Sequence, residues 1–221
     1  MAKSSTARRL DEPVVGIEQK QPAFGGGEPP APPVRPNVPV GSNAALAVAM
    51  FLGAEAMFFA GLIGAYIVFR VAAPIWPPPF QPRLPIGVTG VNTLILLASA
   101  VTMRWSLRAV RANDRKQLIR LLATTAALGG IFLAIQGFEW IRLIHFGLTV
   151  SSSVYGGLFY TLIGFHGLHV LAALIWLLTV FALTQQGRFS KEHHVGLQTC
   201  CMYWTFVVGL WPVLYGLIYL Y

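Results

Sequence analysis

The sequence predicts an all-α, polytopic transmembrane helix bundle with five spanning helices. Of its 221 residues, 55% are hydrophobic and only 11% are charged, whereas a soluble domain carries about 25% charged residues. A spanning helix needs about 20 mostly apolar residues, and five segments of the chain meet that requirement. We therefore expect one transmembrane domain over residues 43–221, with spans at approximately 43–70, 88–110, 117–144, 153–184 and 197–221.

The basic residues are divided unevenly between the two ends of these segments. All but three of the 16 Lys and Arg residues fall in residues 1–42, around the second connection or in the fourth connection. The three exceptions are Arg70, Arg83 and Arg142. Cytoplasmic loops carry an excess of Lys and Arg, so we predict the N-terminus inside and the C-terminus outside. The net charge of +8 is thus a topology signal, and no nucleic-acid partner is expected.

Residues 1–42 differ from the rest of the chain in composition. They are rich in Pro, Gly and charged residues and contain few large apolar side chains. Such a segment cannot bury enough apolar surface to fold by itself, so we predict a disordered cytoplasmic arm. The segment lacks the apolar central region of a secretory signal.

The first span is predicted to begin after Asn43, a residue type that often caps helix N-termini. Three small residues, Ala56, Ala60 and Gly64, follow at four-residue spacing. A stripe of this kind permits close approach between membrane helices.

The second and third spans are joined by a short charged turn, residues 113–116. The second span is rich in Leu, a composition that indicates a helix packed against its neighbours. The third carries Gln136, Glu139, Arg142 and His145 at three-residue spacing, so that successive side chains can touch. We expect Glu139 and Arg142 to form an ion pair near the outer surface.

The fourth span follows three serines, of which we expect one to cap its start. In the fifth span the adjacent Cys200 and Cys201 are expected to be small packing residues. No internal repeat is present, so the inverted-repeat class of transporter is not supported.

Glu55 is the residue with the clearest functional potential. Its neighbours one turn away are Phe and Leu, and no cation lies nearby in sequence. Ionisable residues inside a membrane are costly and are usually functional. Two interpretations remain open: a proton-linked or lipid-headgroup-linked site, and a protonated carboxyl that donates a hydrogen bond to a neighbouring helix.

His166 and His169 lie three residues apart on one face of the fourth span. Imidazole is a common ligand of transition metals, but a metal site needs three or four ligands. We therefore favour hydrogen-bonded core histidines and predict neither a metal site nor catalytic residues. The structural polar cluster predicted for the bundle comprises Gln136, Glu139, Arg142, His166 and His169.

Several stretches together resemble subunit III of the haem-copper oxidases, in particular the cytochrome c oxidase type. They follow the order and approximate spacing of that family from residue 44 onwards, and residues 1–40 lie outside the resemblance. The matching stretches are Gly53–Phe59, Asn92–Ser99, Gln136–Trp140, Val154–Tyr160, Gly164–Val170 and Tyr203–Trp204.

The resemblance implies a five-helix form that lacks the first two of the seven helices of longer members. It implies an accessory subunit of a bacterial inner (plasma) membrane with no haem or copper of its own, those cofactors being held by partner subunits. Its partners would be oxidase subunit I as the main contact, the other oxidase subunits and membrane phospholipid bound in a cleft. Cytochrome c or quinol would supply electrons to the complex, and the subunit would support proton uptake and the durability of the catalytic centre. Glu55 matches the family's buried carboxylate beside the lipid cleft, and Glu139, His166 and His169 match polar positions of the bundle.

Three positions near the end depart from the family pattern. Gln198 stands where the family usually has Glu, Thr205 where it has His, and Val208 where it has Asp. These changes leave the branch open among a cytochrome c oxidase, a quinol oxidase and a relative attached to another respiratory enzyme. Two readings from other classes are a stand-alone proton-linked carrier that uses Glu55 and the two histidines, and a haem-binding membrane protein.

Overall fold

The computed structural model describes residues 40–78, 84–189 and 194–220. Most of the predicted arm, and with it the prediction of disorder, lies outside these ranges. The described residues form five α-helices followed by a short π-helix. They are α1 (Val40–Ala72), α2 (Ile86–Arg111), α3 (Arg115–His145), α4 (Val154–Gln185), α5 (Val195–Tyr215) and the π-helix Gly216–Leu220.

Each of the five predicted spans is confirmed as a helix long and apolar enough to cross a membrane. With the π-helix counted as the end of the fifth span, the predicted ends agree with the observed ones within three residues. The described part of the chain contains no strand. The predicted N-cap at Asn43 is wrong, because α1 already begins at Val40.

Polar side chains cap the starts of α3 and α4, and the cap predicted among the three serines is confirmed. The Asp114 side chain accepts a hydrogen bond of 2.9 Å from the Gln117 N–H at the start of α3. Ser153, the last of the three serines, accepts one of 3.1 Å from the Gly156 N–H at the start of α4. Each cap satisfies a backbone donor that a helix start would otherwise leave unpaired.

Helix α5 occupies the centre of the bundle. It contacts α1, α2 and α4, while α2 packs along α3, and α3 packs against α4. The indole rings of Trp204 and Trp211 on α5 are essentially inaccessible. The core therefore forms around α5, and α1 is a peripheral helix held by α4 and α5.

Close approach between helices within this chain occurs at Gly129 and not at the stripe of small residues on α1. On the peripheral α1, Ala56 and Ala60 are exposed, and a Cβ added to Gly64 would meet nothing within 4 Å. No other helix in the described ranges packs closely at that stripe, which remains open to a partner. Instead, the Trp204 ring lies against Gly129, where an added Cβ would be 2.4 Å from Cη2.

Most buried hydroxyl groups are satisfied within their own helix. In each case the side-chain hydroxyl donates to the backbone carbonyl three or four residues earlier. The residues are Thr93, Ser99, Ser106, Thr184 and Thr199. This removes the cost of an unpaired polar group in an apolar environment.

A smaller set of buried hydrogen bonds joins different helices. The Trp204 and Trp211 indole N–H groups on α5 donate to the hydroxyls of Ser99 and Thr93 on α2, at 3.1 and 2.8 Å. The Asn92 amide donates to the carbonyl of Phe132 on α3 at 3.0 Å. These bonds fix α2 against both of its neighbours.

Candidate proton-linked site at Glu55 and His169

The structure brings together two of the sequence-predicted polar residues across the α1–α4 boundary. Glu55 Oε2 lies 2.8 Å from His169 Nε2, although the two residues are 114 apart in sequence. The side chain of Glu55 is 18% exposed and that of His169 is 16% exposed. Glu55 is close to the middle of α1, so the pair occupies a position well inside a membrane-spanning segment.

The protonation of His169 follows from its second contact. Its Nδ1 lies 2.7 Å from the Phe165 carbonyl oxygen on the preceding turn. A carbonyl can only accept a hydrogen bond, so Nδ1 carries a hydrogen. One further proton is then shared between Nε2 and Glu55 Oε2. The pair is either a neutral imidazole with a carboxylic acid or an imidazolium with a carboxylate, and both arrangements have no net charge.

Aromatic rings surround this pair. The centroid of the His169 ring lies 5.1 Å from that of Phe59, in an edge-to-face arrangement. It lies 6.5 Å from that of Phe58, in a stacked arrangement. Phe58 in turn packs against Phe165 of α4. The rings limit the access of water, and electrostatic interactions are stronger in such an environment.

His166 has a different environment from His169. It is fully buried, and neither ring nitrogen has a hydrogen-bond partner among the described residues. Its ring stacks on Trp211 at a centroid distance of 5.0 Å and also contacts Phe59. The prediction of a hydrogen-bonded core histidine therefore describes His169 and is wrong for His166, because aromatic rings flank the latter.

The remaining predicted polar residues form separate contacts on α3. Arg142 Nη1 lies 3.1 Å from Glu139 Oε1, with Arg142 50% exposed and Glu139 8% exposed. The Gln136 amide donates to the hydroxyl of Tyr219 in the π-helix at 3.3 Å. The five residues predicted as one polar cluster thus lie in four different local environments.

Metal-ligating side chains do not gather elsewhere in the described ranges. No group of three His, Cys, Asp or Glu residues there could hold an ion. Cys200 and Cys201 are buried and carry free thiols, which agrees with a packing role.

Comparison with known proteins identifies the family. The family model "Cytochrome c oxidase subunit III" matches residues 35–221. The chain belongs to the cytochrome c oxidase subunit III family. It is 41% identical over 174 residues to cytochrome c oxidase subunit 3 of Synechocystis sp., covering 78% of this chain and 73% of the relative.

Animal relatives are similar at lower identity. Cytochrome c oxidase subunit 3 of Strongylocentrotus purpuratus and that of Tachyglossus aculeatus aculeatus are each 36% identical over 176 residues. These matches cover 77% of this chain and 66% of the relatives. The subunit III chain thus spans about two thirds of the length of the animal proteins that it matches.

Two features of this subunit III chain were not predicted from its sequence. Trp211 stacks on His166 and also donates to Thr93, yet a Trp in an apolar span gives no sign of either partner. Gln198 and Thr205 line one cavity between helices. Their seven-residue spacing, which is two helical turns, could have indicated that they share a face.

Proposed function

We propose that the chain is an accessory subunit of a haem-copper terminal oxidase of the cytochrome c type that stabilises the catalytic subunit and supports its proton uptake. Family membership supports the first part, and the Glu55–His169 pair is the observation that carries the second. Subunit I would be the main contact, and it and other subunits would hold haem and copper. Electrons from cytochrome c would reduce oxygen in those subunits.

The pair is suited to proton exchange because it holds one shared proton at no net charge. Taking up one more proton would give a carboxylic acid beside an imidazolium, and releasing one would give a carboxylate beside a neutral imidazole. Either change would place a single charge inside the membrane, which is costly. The pair would therefore act by briefly accepting and returning a proton.

Phospholipid binding beside α1 is the second part of the proposed role. Helix α1 exposes a row of large apolar side chains, among them Met50, Met57 and Val68. Such a surface suits acyl chains or the apolar face of another subunit. With the N-terminus inside, as the basic residues indicate, this helix would cross the inner membrane of a bacterium from the cytoplasm outwards.

Substitution of Glu55 in the assembled complex tests the role of the pair. Glu55→Gln retains a hydrogen-bond donor toward His169 but removes the exchangeable acid, whereas Glu55→Ala removes both. We expect both variants to shorten the number of turnovers before inactivation, and Glu55→Ala also to lower the phospholipid content. Glu139→Gln is a matched control, because its carboxylate lies in a separate pair, and we expect it to retain both properties.

The outcome that contradicts this role is specific. Unchanged turnover lifetime and unchanged lipid content in both Glu55 variants would remove Glu55 from proton uptake and lipid binding. His169→Asn provides a further check, because residues that share one proton act as a unit. The double variant with Glu55→Gln should then be no worse than the more impaired single variant.

Purification through a tag on this chain in mild detergent tests the proposed complex. Co-purification of a large subunit with haem absorbance in the reduced-minus-oxidised spectrum is expected. Oxidation of cytochrome c by that complex would support the proposed cytochrome c oxidase branch. Oxidation of quinol alone would instead identify the complex as a quinol oxidase. A colourless chain that purifies alone would favour a stand-alone carrier instead.

A further inference from the structure

His166 is a buried titratable group to which the proposed function gives no role. Its side chain is fully buried in the first half of α4, and neither ring nitrogen has a hydrogen-bond partner in the described part of the chain. A neutral imidazole carries one N–H donor and one acceptor nitrogen. Leaving both unpaired in an apolar interior is costly, so the ring requires a small partner that accepts and donates at once.

The aromatic rings around His166 hold its plane but do not pair its nitrogens. Trp211 stacks on the imidazole at a centroid distance of 5.0 Å and an interplanar angle of 25°. A stacked ring covers a face of the imidazole, whereas both nitrogens lie on the edge. Trp211 is itself held in place, because its indole N–H donates to Thr93 at 2.8 Å. The imidazole therefore has a fixed orientation in which its hydrogen-bonding edge stays available.

The Glu55–His169 pair has an unpaired atom close to His166. His166 and His169 are three residues apart on α4, which puts their Cβ atoms about 5–6 Å apart, and Phe59 contacts both rings. Glu55 Oε2 is bonded to His169, but Oε1 forms no hydrogen bond with a described residue. Because Glu55 is one helical turn from Phe59 on α1, both unpaired groups border the same phenylalanine.

We propose that His166 binds an internal water that also bonds Glu55 Oε1, and that His166 exchanges protons with the Glu55–His169 pair through this water. Water fits this position because it both donates and accepts and because buried water characteristically pairs polar groups that the protein leaves unpaired. The inference rests on the proton-linked role proposed for Glu55 and adds the residue to which the pair passes its proton.

The transfer begins when the pair has taken up one extra proton. His169 is then an imidazolium whose Nε2–H donates to Glu55 Oε2, so the extra proton resides on Oε1. Glu55 gives this proton to the water while the water gives one of its own to the acceptor nitrogen of His166. The pair returns to no net charge, the water is unchanged, and His166 becomes an imidazolium, so that one positive charge has moved.

The interior of the bundle suits this transfer better than the exposed side of the pair. Glu55 and His169 expose 18% and 16% of their side chains on helices that are long and apolar enough to span a membrane. The bilayer core contains no water that could accept a proton. On the interior side, the face of Trp211 stacked on His166 attracts a cation.

Hydrogen exchange in the purified complex tests the relay without any measurement of turnover. Histidine is labelled with 15N, the His169 signal is assigned by its loss in His169→Asn, and solid-state NMR follows the replacement of its ring hydrogen in heavy water. We expect His166→Phe to slow this exchange about tenfold, the effect of losing one hydrogen bond to a charged group. His166→Gln keeps a donor and an acceptor and should restore much of the rate.

His145→Phe is the matched control, because it removes an exposed imidazole at the end of α3 and should leave the exchange at His169 unchanged. An equal exchange rate in wild type and His166→Phe would overturn the proposal. Equal slowing in His166→Phe and His166→Gln would also overturn it, since the side chain would then act only by filling space.

The wild-type complex provides a second measurement that does not depend on the assembly of any variant. With 15N-labelled tryptophan, the Trp211 N–H bonded to Thr93 should exchange more slowly than the His166 N–H bonded to water. A His166 hydrogen that persists as long as that of Trp211 would exclude the bound water. Failure of the role proposed for Glu55 is distinguishable, because it is judged by turnover lifetime and lipid content, which these exchange rates do not involve.

Discussion

Substitution of Gly129 by Ala is expected to disrupt the contact between α3 and α5. The new Cβ would lie 2.4 Å from Trp204 Cη2 and 2.8 Å from Cζ2, distances that require the indole to move. Trp204 is almost fully buried and is tethered, because its Nε1–H donates to Ser99 Oγ at 3.1 Å. Overpacking of a core costs about 1–3 kcal/mol. Loss of the tethering hydrogen bond adds about 1 kcal/mol.

These contributions sum to a loss of about 2–4 kcal/mol in the free energy of unfolding. For a chain of this size, 1 kcal/mol lowers Tm by about 2–4 °C, so a decrease of roughly 5–15 °C is expected. The assay heats the detergent-purified complex and follows the fraction of this chain that remains soluble. Gly130→Ala is the matched control, because a Cβ at Gly130 would meet nothing within 4 Å.

A double-mutant cycle with Trp204→Phe identifies the cause of the loss. Phenylalanine lacks the outer part of the indole ring, so Gly129→Ala should cost much less in that background. The reasoning is refuted if Gly129→Ala is as stable as Gly130→Ala. It is also refuted if the cost of Gly129→Ala is the same with Trp or Phe at position 204.

Two further predictions concern the contacts of α3 with α4 and of α2 with α5. Gly167→Ala should destabilise the complex by about 1–3 kcal/mol, since its Cβ would lie 2.5 Å from Trp140 Cη2, whereas Gly164→Ala meets nothing within 4 Å and should be tolerated in the same heating assay. Trp211→Phe should cost more than the about 1 kcal/mol of the lost 2.8 Å hydrogen bond to Thr93, because the smaller ring also leaves a cavity in the core. Thr93→Val should lower the stability less in the Trp211→Phe variant than in the wild type. Fully additive losses of stability in thermal unfolding would contradict the pairing of Trp211 with Thr93.

The five spans could be predicted from the sequence because long apolar runs separated by polar or charged turns leave few alternatives. The connections were equally informative, since Asp114 and Ser153 are residue types that cap helices. Both depend on local sequence only. For the same reason Glu55 could be identified as unusual before the structure placed any residue beside it.

The partners of the helix faces could not be predicted. In a soluble helix, apolar periodicity indicates the buried side, but a membrane helix is apolar all round and loses this signal. The stripe at Ala56, Ala60 and Gly64 permits close packing by composition, yet no helix in the described ranges packs closely there. The pairing of Glu55 with His169 depends on how α1 lies against α4, which no local pattern specifies.

The division of hydrogen bonds between and within helices also bears on the biosynthesis of the protein. Buried hydroxyls such as Ser106 and Thr184 are already paired with their own helix, so each helix can enter the bilayer with these groups satisfied. The indole donors of Trp204 and Trp211 instead require α2. Because α5 is the last of the five α-helices along the chain, these two bonds can form only once α5 lies beside α2. The polar contacts of the bundle are thus completed when α5 packs against α2 and its two indoles donate to Ser99 and Thr93.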